Sequence, residues 1–316
     1  MERIFEYHIN DVMSGKTIHD FLRQNGFSRQ NIIELKKQHE SILLNGTWEY
    51  VTCKLHAGDF LVVHIKEEKI NEEILPVKMD FSILYEDDDL MVINKPSGMP
   101  THPSLNNYTN SLANAVTYYF SSQKIPFTFR CINRLDKDTT GLTIVAKHMV
   151  SANLLSTQIA QRLIHREYLA LVDGTLPQKE GTIDAPIGRV SDSLISRCVD
   201  NVNGERAITH YKVLASANNI SLVLLHLETG RTHQIRVHMA HMGCPLIGDY
   251  LYHPDYMENS PTQPAISFAR QALHAYHLTF THPITKEELS FKAPLSNDMS
   301  NIIESSLGNQ PFSALF

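Results

Sequence analysis

The stretch from Cys131 to Lys147, Cys-Ile-Asn-Arg-Leu-Asp-Lys-Asp-Thr-Thr-Gly-Leu-Thr-Ile-Val-Ala-Lys, limits the fold more than any other part of the chain. Leu142 to Ala146 is a short apolar, β-rich run, the pattern of a buried strand. Thr139, Thr140 and Gly141 supply turn chemistry in front of it, and Arg134, Asp136, Lys137 and Asp138 crowd charge into the loop before that turn. A strand entered through a glycine turn holds its preceding loop on a rigid base, which a reacting side chain needs. Arg134 and Asp136 also set a cation beside a carboxylate. A cation within reach favours the ionised carboxylate, which can then serve as nucleophile or base. The alternative is a solvated ion pair at a loop mouth, which contributes little.

The 316 residues predict two domains, or one large domain with a small appendage, and a hydrophobic fraction of 42% is enough for a real core. No run approaches the roughly 20 apolar residues of a membrane helix. The opening Met-Glu-Arg-Ile-Phe-Glu-Tyr lacks the basic-then-apolar order of a signal peptide. Cys53, Cys131, Cys198 and Cys244 are scattered without a Cys-x-x-Cys pair, so they read as free thiols in a reducing cytosol. A net charge of −6 argues against a nucleic-acid partner unless basic residues cluster locally.

The first 66 residues read as a separate module. Lys16–Asn25 has helical spacing, Ser28 offers an N-cap, and Arg29–Gln38 reads as a second helix. Ile42–Leu44, the Asn45-Gly46 turn, a strand around Trp48–Val51 and the run Gly58–Ile65 follow as β-structure. Residues 67–79 are charged and proline-bearing, as a linker would be. Beyond them come a hairpin over Leu84–Asn94, a helix over Asn110–Phe120, a helix over Ser151–Leu163 and a strand over Arg166–Gly174. Ala207–Leu214 and Ile220–Leu227 read as strands. A helix capped by Thr232 and stopped by Gly243 comes next, then a Pro-, Ser- and Asn-rich stretch, Tyr252–Ala269, that reads as an insertion. His274–Phe280 and Leu289–Ala293 read as a closing hairpin, and the remainder as a weak helix. His233, His238 and His241 suggest zinc only superficially, because helical spacing sends His233 to another side and no Glu or Cys completes the set.

Four phrases, in order, resemble the motifs of the RluA-type pseudouridine synthases: Asp89–Gly98 with His102-Pro103, Arg134–Leu142, Arg166–Gly174, and Thr229–His238 continuing to Asp249. Asn133 stands where that family has His, and Thr140 where it has Ser. The first 66 residues loosely resemble an S4 RNA-binding module through Phe27-Ser28-Arg29, Leu44-Asn45-Gly46 and Ala57-Gly58-Asp59. The resemblance implies an α+β fold: a mixed, mainly antiparallel central sheet with flanking helices over 80–316, preceded by a small S4-like α/β module. It implies Asp136 as the catalytic residue, Arg236 as its basic partner and Tyr168 as an active-site aromatic, although strand tyrosines commonly serve as packing. It further carries substrate- or RNA-binding roles onto Arg134, Asn133, Thr140, Gly141, Lys95, His102, Arg231, His233 and Gln234. The implied reaction is the isomerisation of uridine in structured RNA, ribosomal or transfer, to pseudouridine. No cofactor or metal is expected, and the expected protein is a cytoplasmic monomer with RNA as partner and no membrane association.

Other functions remain open at this point. A glycoside hydrolase also attacks a C1 bond, but needs two separated carboxylates. A non-catalytic RNA-binding factor would rely on the S4-like module alone. An α+β domain without either activity would leave the order of the four phrases unexplained.

Overall fold

The computed structural model describes residues 1–67, 73–191, 193–257, 260 and 262–308. Part of the expected linker, 68–72, and part of the Tyr252–Ala269 stretch, 258, 259 and 261, lie outside the described residues.

The chain opens with β1 (Glu2–His8), α1 (Ile18–Gln24), α2 (Arg29–Lys37), β2 (Ile42–Leu44), β3 (Thr47–Trp48) and β4 (Phe60–Lys66), which form a four-stranded sheet in the order β1-β4-β2-β3. Thr17 and Ser28 cap the two helices, and Asn45 and Gly46, both at positive φ, make the hairpin turn. Sequence alternation did not reveal β1. Its inward set is Arg3, Phe5 and Tyr7, while Ile4 points out at 41% exposure. The inward arginine has a partner across the module boundary, Asp89, at 2.8 Å from Nε to Oδ1.

The larger part comprises β5 (Ser82–Glu86), β6 (Leu90–Lys95), α3 (Leu112–Ser122), β7 (Arg130–Cys131), β8 (Thr140–Ala146), α4 (Met149–Ala160) and β9 (His165–Asp173). It continues through β10 (Glu180–Asp184), β11 (Ile187–Arg189), β12 (Arg197–Val199), β13 (Ile208–Ala217), β14 (Ile220–Leu227) and α5 (Gln234–His241), and ends with β15 (Leu273–Thr281), β16 (Glu288–Lys292) and α6 (Asn297–Leu307). The main sheet runs β10-β13-β14-β9-β15-β8-β6-β5, with β16 on β15 and β7 on β8. Every pairing is antiparallel except β15 with β8. The short strands β10, β11 and β12, rich in Gly, Asp and Arg, were not visible as strands in the sequence. The expected α+β class, with a mixed and mainly antiparallel sheet flanked by helices, is the architecture found.

Tyr168, Ala170, Val223, Leu225 and Ala275 cover one face of the sheet together with Ile235 and Met239 of α5. The opposite face packs Leu169, Leu171 and Leu222 against Met299, Ile302 and Ile303 of α6. Across β15, α3 packs on Met91, Ile93 and Val145, while Leu155 of α4 lies on Leu142 and Ile144. β8 is buried at every position, as its apolar run required. The first module sits on α4 through Val150, with Met149 and Leu154 at the margin.

β8 and β15 meet at His274 opposite Thr140 and Ala275 opposite Gly141. A Cβ on Gly141, whose φ is +109°, would sit 2.2 Å from the Ala275 carbonyl oxygen, so only glycine allows this approach. The loop carrying Asp136 enters the sheet at this seam.

Candidate active site

Asp136 is held by what surrounds its loop. The Asn133 side chain takes the Ile144 N–H on Oδ1 at 2.9 Å and donates from Nδ2 to Leu142 O at 3.0 Å, acting as a piece of strand partner for β8. Thr101 Oγ1 donates to Leu135 O and accepts from Leu135 N, at 2.9 and 3.1 Å. Lys95 Nζ, fully buried, donates to Lys137 O at 3.0 Å and to Pro96 O and Met99 O at 2.8 Å. Burial pushes the Lys95 ammonium down to about 7 against the opposing pull of Asp138 and Asp136. Asp138 accepts from Gly98 N–H at 3.1 Å on Oδ1 and from Arg270 Nη1 at 3.0 Å on its carbonyl. Each residue flanking Asp136 is therefore tied down, while its own carboxylate keeps 27% exposure.

Arg236, from α5, reaches that carboxylate with Nη1 at 3.3 Å from Oδ2. Its other nitrogens grip the buried Asp249, Nε to Oδ2 and Nη2 to Oδ1, both at 2.7 Å, and its guanidinium lies 5.0 Å over the Tyr252 ring. Burial disfavours the guanidinium charge, but the Asp249 carboxylate outweighs it and holds the pKa above the ordinary arginine value. A forked cation fixed on one carboxylate thus presents its remaining edge to another. His233 stands beside them, Nε2 at 3.9 Å from Asp136 Oδ2 and Nδ1 at 2.7 Å from the Tyr252 hydroxyl. The α5 cap is His233 and not Thr232, and it is left-handed at φ 58°.

Tyr168, from β9, is buried beside Leu135 and Ala275. Burial pushes its phenol up, Arg166 works against this, and the Asp136 carboxylate adds to it, which puts Tyr168 and Asp136 within electrostatic reach. Arg134 is exposed on the loop and makes no hydrogen bond or ion pair among the described residues. His102 is half-buried against Phe129, and burial, then Arg134, pushes its imidazole down.

Several residues expected to contact substrate or RNA are buried and bonded within the protein. Asn133, Thr140, Gly141, Lys95 and Gln234 are buried. Thr140 Oγ1 pairs with His274 Nδ1 at 2.8 Å, and Gln234 joins Thr229, Arg231 N, Ile208 O and Thr209. Arg231 points out but is tied to Glu205 and to Arg206 O. The resemblance supplied these positions, and their buried polar atoms find partners inside the protein. Sequence reasoning passed over Asp249, Tyr252, Thr101 and Arg270. Asp249 ended the fourth phrase and was readable there. Tyr252 opens a stretch read as an insertion and Arg270 directly follows it, and nothing local marks either.

The three histidines that hinted at zinc diverge: His238 bonds Thr209 Oγ1 and Ala185 O, and His241 is exposed. Two other groups, Asp87/Asp89/His282 and Asp173/His253/Asp255, bring ligand-type atoms within 4.8 Å. In both, the histidine Nδ1 accepts a backbone N–H, from Ile284 and Thr285 or from Asp255, so Nε2 carries the proton toward the carboxylate. A protonated nitrogen offers a cation no lone pair.

A profile of the RNA pseudouridylate synthase family matches residues 89–241. The uncharacterized RNA pseudouridine synthase YjbO of Bacillus subtilis (strain 168) is 40% identical over 290 residues, which cover 91% of this chain and 98% of that one. The chain belongs to the RNA pseudouridine synthase family. Ribosomal large subunit pseudouridine synthase D of Zymomonas mobilis is 41% identical over 229 residues, 71% of this chain and 72% of that one. Human RNA Pseudouridylate Synthase Domain Containing 1 superposes with a TM-score of 0.57 at 26% identity, over 75% of this chain and 93% of its own. As a pseudouridine synthase the protein is an isomerase whose substrate is RNA. Among the described residues no helix is long and apolar enough to cross a membrane.

Proposed function

We propose that this synthase isomerises uridine in structured RNA with Asp136 as the reacting carboxylate and without a cofactor. The uridine N1–C1′ bond breaks, the base turns, C5 bonds to C1′, the C5 proton leaves and N1 gains one. Atoms balance within the nucleotide, so the chemistry asks the protein for a charged group and proton handling. The carrying observation is the Asp136 carboxylate, open on one side and backed at 3.3 Å by a guanidinium that Asp249 anchors. Asp136 attacks or deprotonates the nucleotide, Arg236 holds it oriented, and Tyr168 stacks on the extruded base and assists loss of the C5 proton. Arg134, a cation on the same loop that makes no ion pair among the described residues, takes a phosphate or the space the base leaves.

Ribosomal RNA is the favoured substrate over transfer RNA, because a relative 41% identical to this chain carries a large-subunit name. Residues 1–66 serve as an S4-like RNA-binding module, 67–79 as the linker and 80–316 as the catalytic domain. Exposed Arg29 and Lys36 on α2 suit phosphate contacts in that module.

The test is Asp136→Asn, which keeps size and removes charge. Tritium release from RNA labelled at uridine C5 falls about a thousandfold or more, with RNA binding and fold kept. Residual release within about tenfold of the parent assigns the chemistry to another carboxylate. Release of free uracil instead of pseudouridine marks a hydrolase.

A further inference from the structure

The hydroxyl of Tyr252 does not touch Asp136, yet it lies two contacts away from it through His233. It accepts the Arg197 backbone N–H at 2.9 Å and lies 2.7 Å from His233 Nδ1. A phenol has one proton to give. With its oxygen already accepting from Arg197, that proton points to Nδ1, which must then be the ring's lone-pair nitrogen. The neutral ring carries its own proton on Nε2, the atom 3.9 Å from Asp136 Oδ2. The opposite tautomer leaves the phenol proton without a partner and aims an imidazole lone pair at a carboxylate, two losses at once.

Three further observations agree. Burial pushes the His233 imidazole down, against the pull of Asp136, so the ring is neutral near pH 7 and has a tautomer to choose. Burial likewise pushes the Tyr252 phenol up to about 12, so its proton is retained. The backbone at His233 also sits in the left-handed region at φ 58°, a conformation that costs a side-chain-bearing residue about 1 kcal/mol and is kept only where the surroundings enforce it.

We infer that Tyr252 is a positioning residue that fixes His233 as its Nε2–H tautomer, making His233 a second donor facing the Asp136 carboxylate beside Arg236. This rests on Asp136 being the reacting group. At 3.9 Å the N–H is outside hydrogen-bond range, and a shift of about 1 Å on substrate entry closes it. Arg236 Nη1 and His233 Nε2 face the same Asp136 oxygen, Oδ2, the guanidinium supplying charge and the imidazole a second N–H that holds the carboxylate in place. The Tyr252 ring, beneath the Arg236 guanidinium, ties the two supports together.

Tyr252→Phe keeps the ring and removes only the proton. The full chain, labelled with ¹⁵N-histidine, is compared with Tyr252→Phe, His233→Gln and His233→Leu, each checked for fold by circular dichroism. The histidine resonance missing from His233→Gln has the Nε2–H pattern in the parent and moves toward Nδ1–H in Tyr252→Phe. On total RNA tritiated at uridine C5, from a strain lacking this chain, Tyr252→Phe slows single-turnover release about tenfold, with half-saturation unchanged within about twofold. Gln, whose amide can stand in for Nε2–H, keeps the rate within about threefold of the parent, whereas Leu loses about tenfold. An Nδ1–H parent ring, a tautomer unmoved in Tyr252→Phe, or a Gln variant no better than Leu overturns the inference. A parent that releases no tritium sinks the catalytic reading of Asp136, while the tautomer measurement still decides this one.

Discussion

Asp249→Asn is the most informative perturbation of the charge cluster, because Asp249 touches no open groove yet holds the guanidinium that faces Asp136. Its side chain has no exposure, and it accepts four bonds: Arg236 Nε and Nη2 at 2.7 Å, Leu251 N at 3.1 Å and Tyr252 N at 3.2 Å. An asparagine carbonyl can keep Nη2 and the two backbone donors, but its NH₂ then meets the Arg236 Nε–H, donor against donor. Breaking a buried ion pair costs about 3–5 kcal/mol, since a charge is left uncompensated. Asp136, 3.3 Å from Nη1, still compensates part of it, which places the cost near the lower end, about 3 kcal/mol. With a urea slope of about 3 kcal/mol per molar, the unfolding midpoint drops by about 1 M. The assay is urea unfolding followed by far-ultraviolet circular dichroism, alongside tritium release. The second arm is Arg236→Gln combined with Asp249→Asn, which replaces the pair by two neutral amides able to bond each other. This double variant recovers about 2 kcal/mol relative to Asp249→Asn alone, yet remains inactive. A single variant that loses less than about 1 kcal/mol, or a double variant no more stable than the single, refutes the reasoning that an unpaired buried charge is what hurts.

Two further outcomes follow from the β8–β15 seam. Gly141→Ala drives a methyl into the Ala275 carbonyl at 2.2 Å from a left-handed backbone, so thermal melts show a loss of more than about 3 kcal/mol; a shift of under about 1 kcal/mol means the strands can part without cost. His274, bonded to Thr140 and lowered by burial from 6.5 to about 4, binds its proton less readily folded than unfolded. Its contribution is present above pH 6.5 and is lost as pH falls toward 4, about 3 kcal/mol in all, so urea midpoints decline across that window and His274→Gln flattens the slope; an equally steep decline in His274→Gln rejects this assignment.

Local order was legible in the sequence because its causes are local. The apolar run of β8, the Ser28 cap, the Asn45-Gly46 turn and the β14 run at Ile220–Leu227 each depend on neighbours a few residues away. The four ordered phrases also pointed to Asp136, Tyr168 and Arg236 before any geometry was known. β1 escaped because its inward residues include an arginine whose partner, Asp89, is 86 positions away. Direction and distance were likewise invisible. The resemblance carried substrate- or RNA-binding roles onto Asn133, Thr140, Gly141, Lys95 and Gln234, and a sequence does not show which way a side chain faces. All five are buried, and the polar side chains among them find partners inside the protein: Asn133 on β8, Lys95 on Lys137 O, Thr140 on His274 and Gln234 on Ile208 O. Only the folded chain brings Arg236 across 100 positions to Asp136, sets Arg270 across 132 positions under Asp138, and slips Tyr252 between Arg236 and His233. The residue types come from the sequence, and the low-dielectric enclosure that makes their charges act on one another is a property of the packed sheet and its helices.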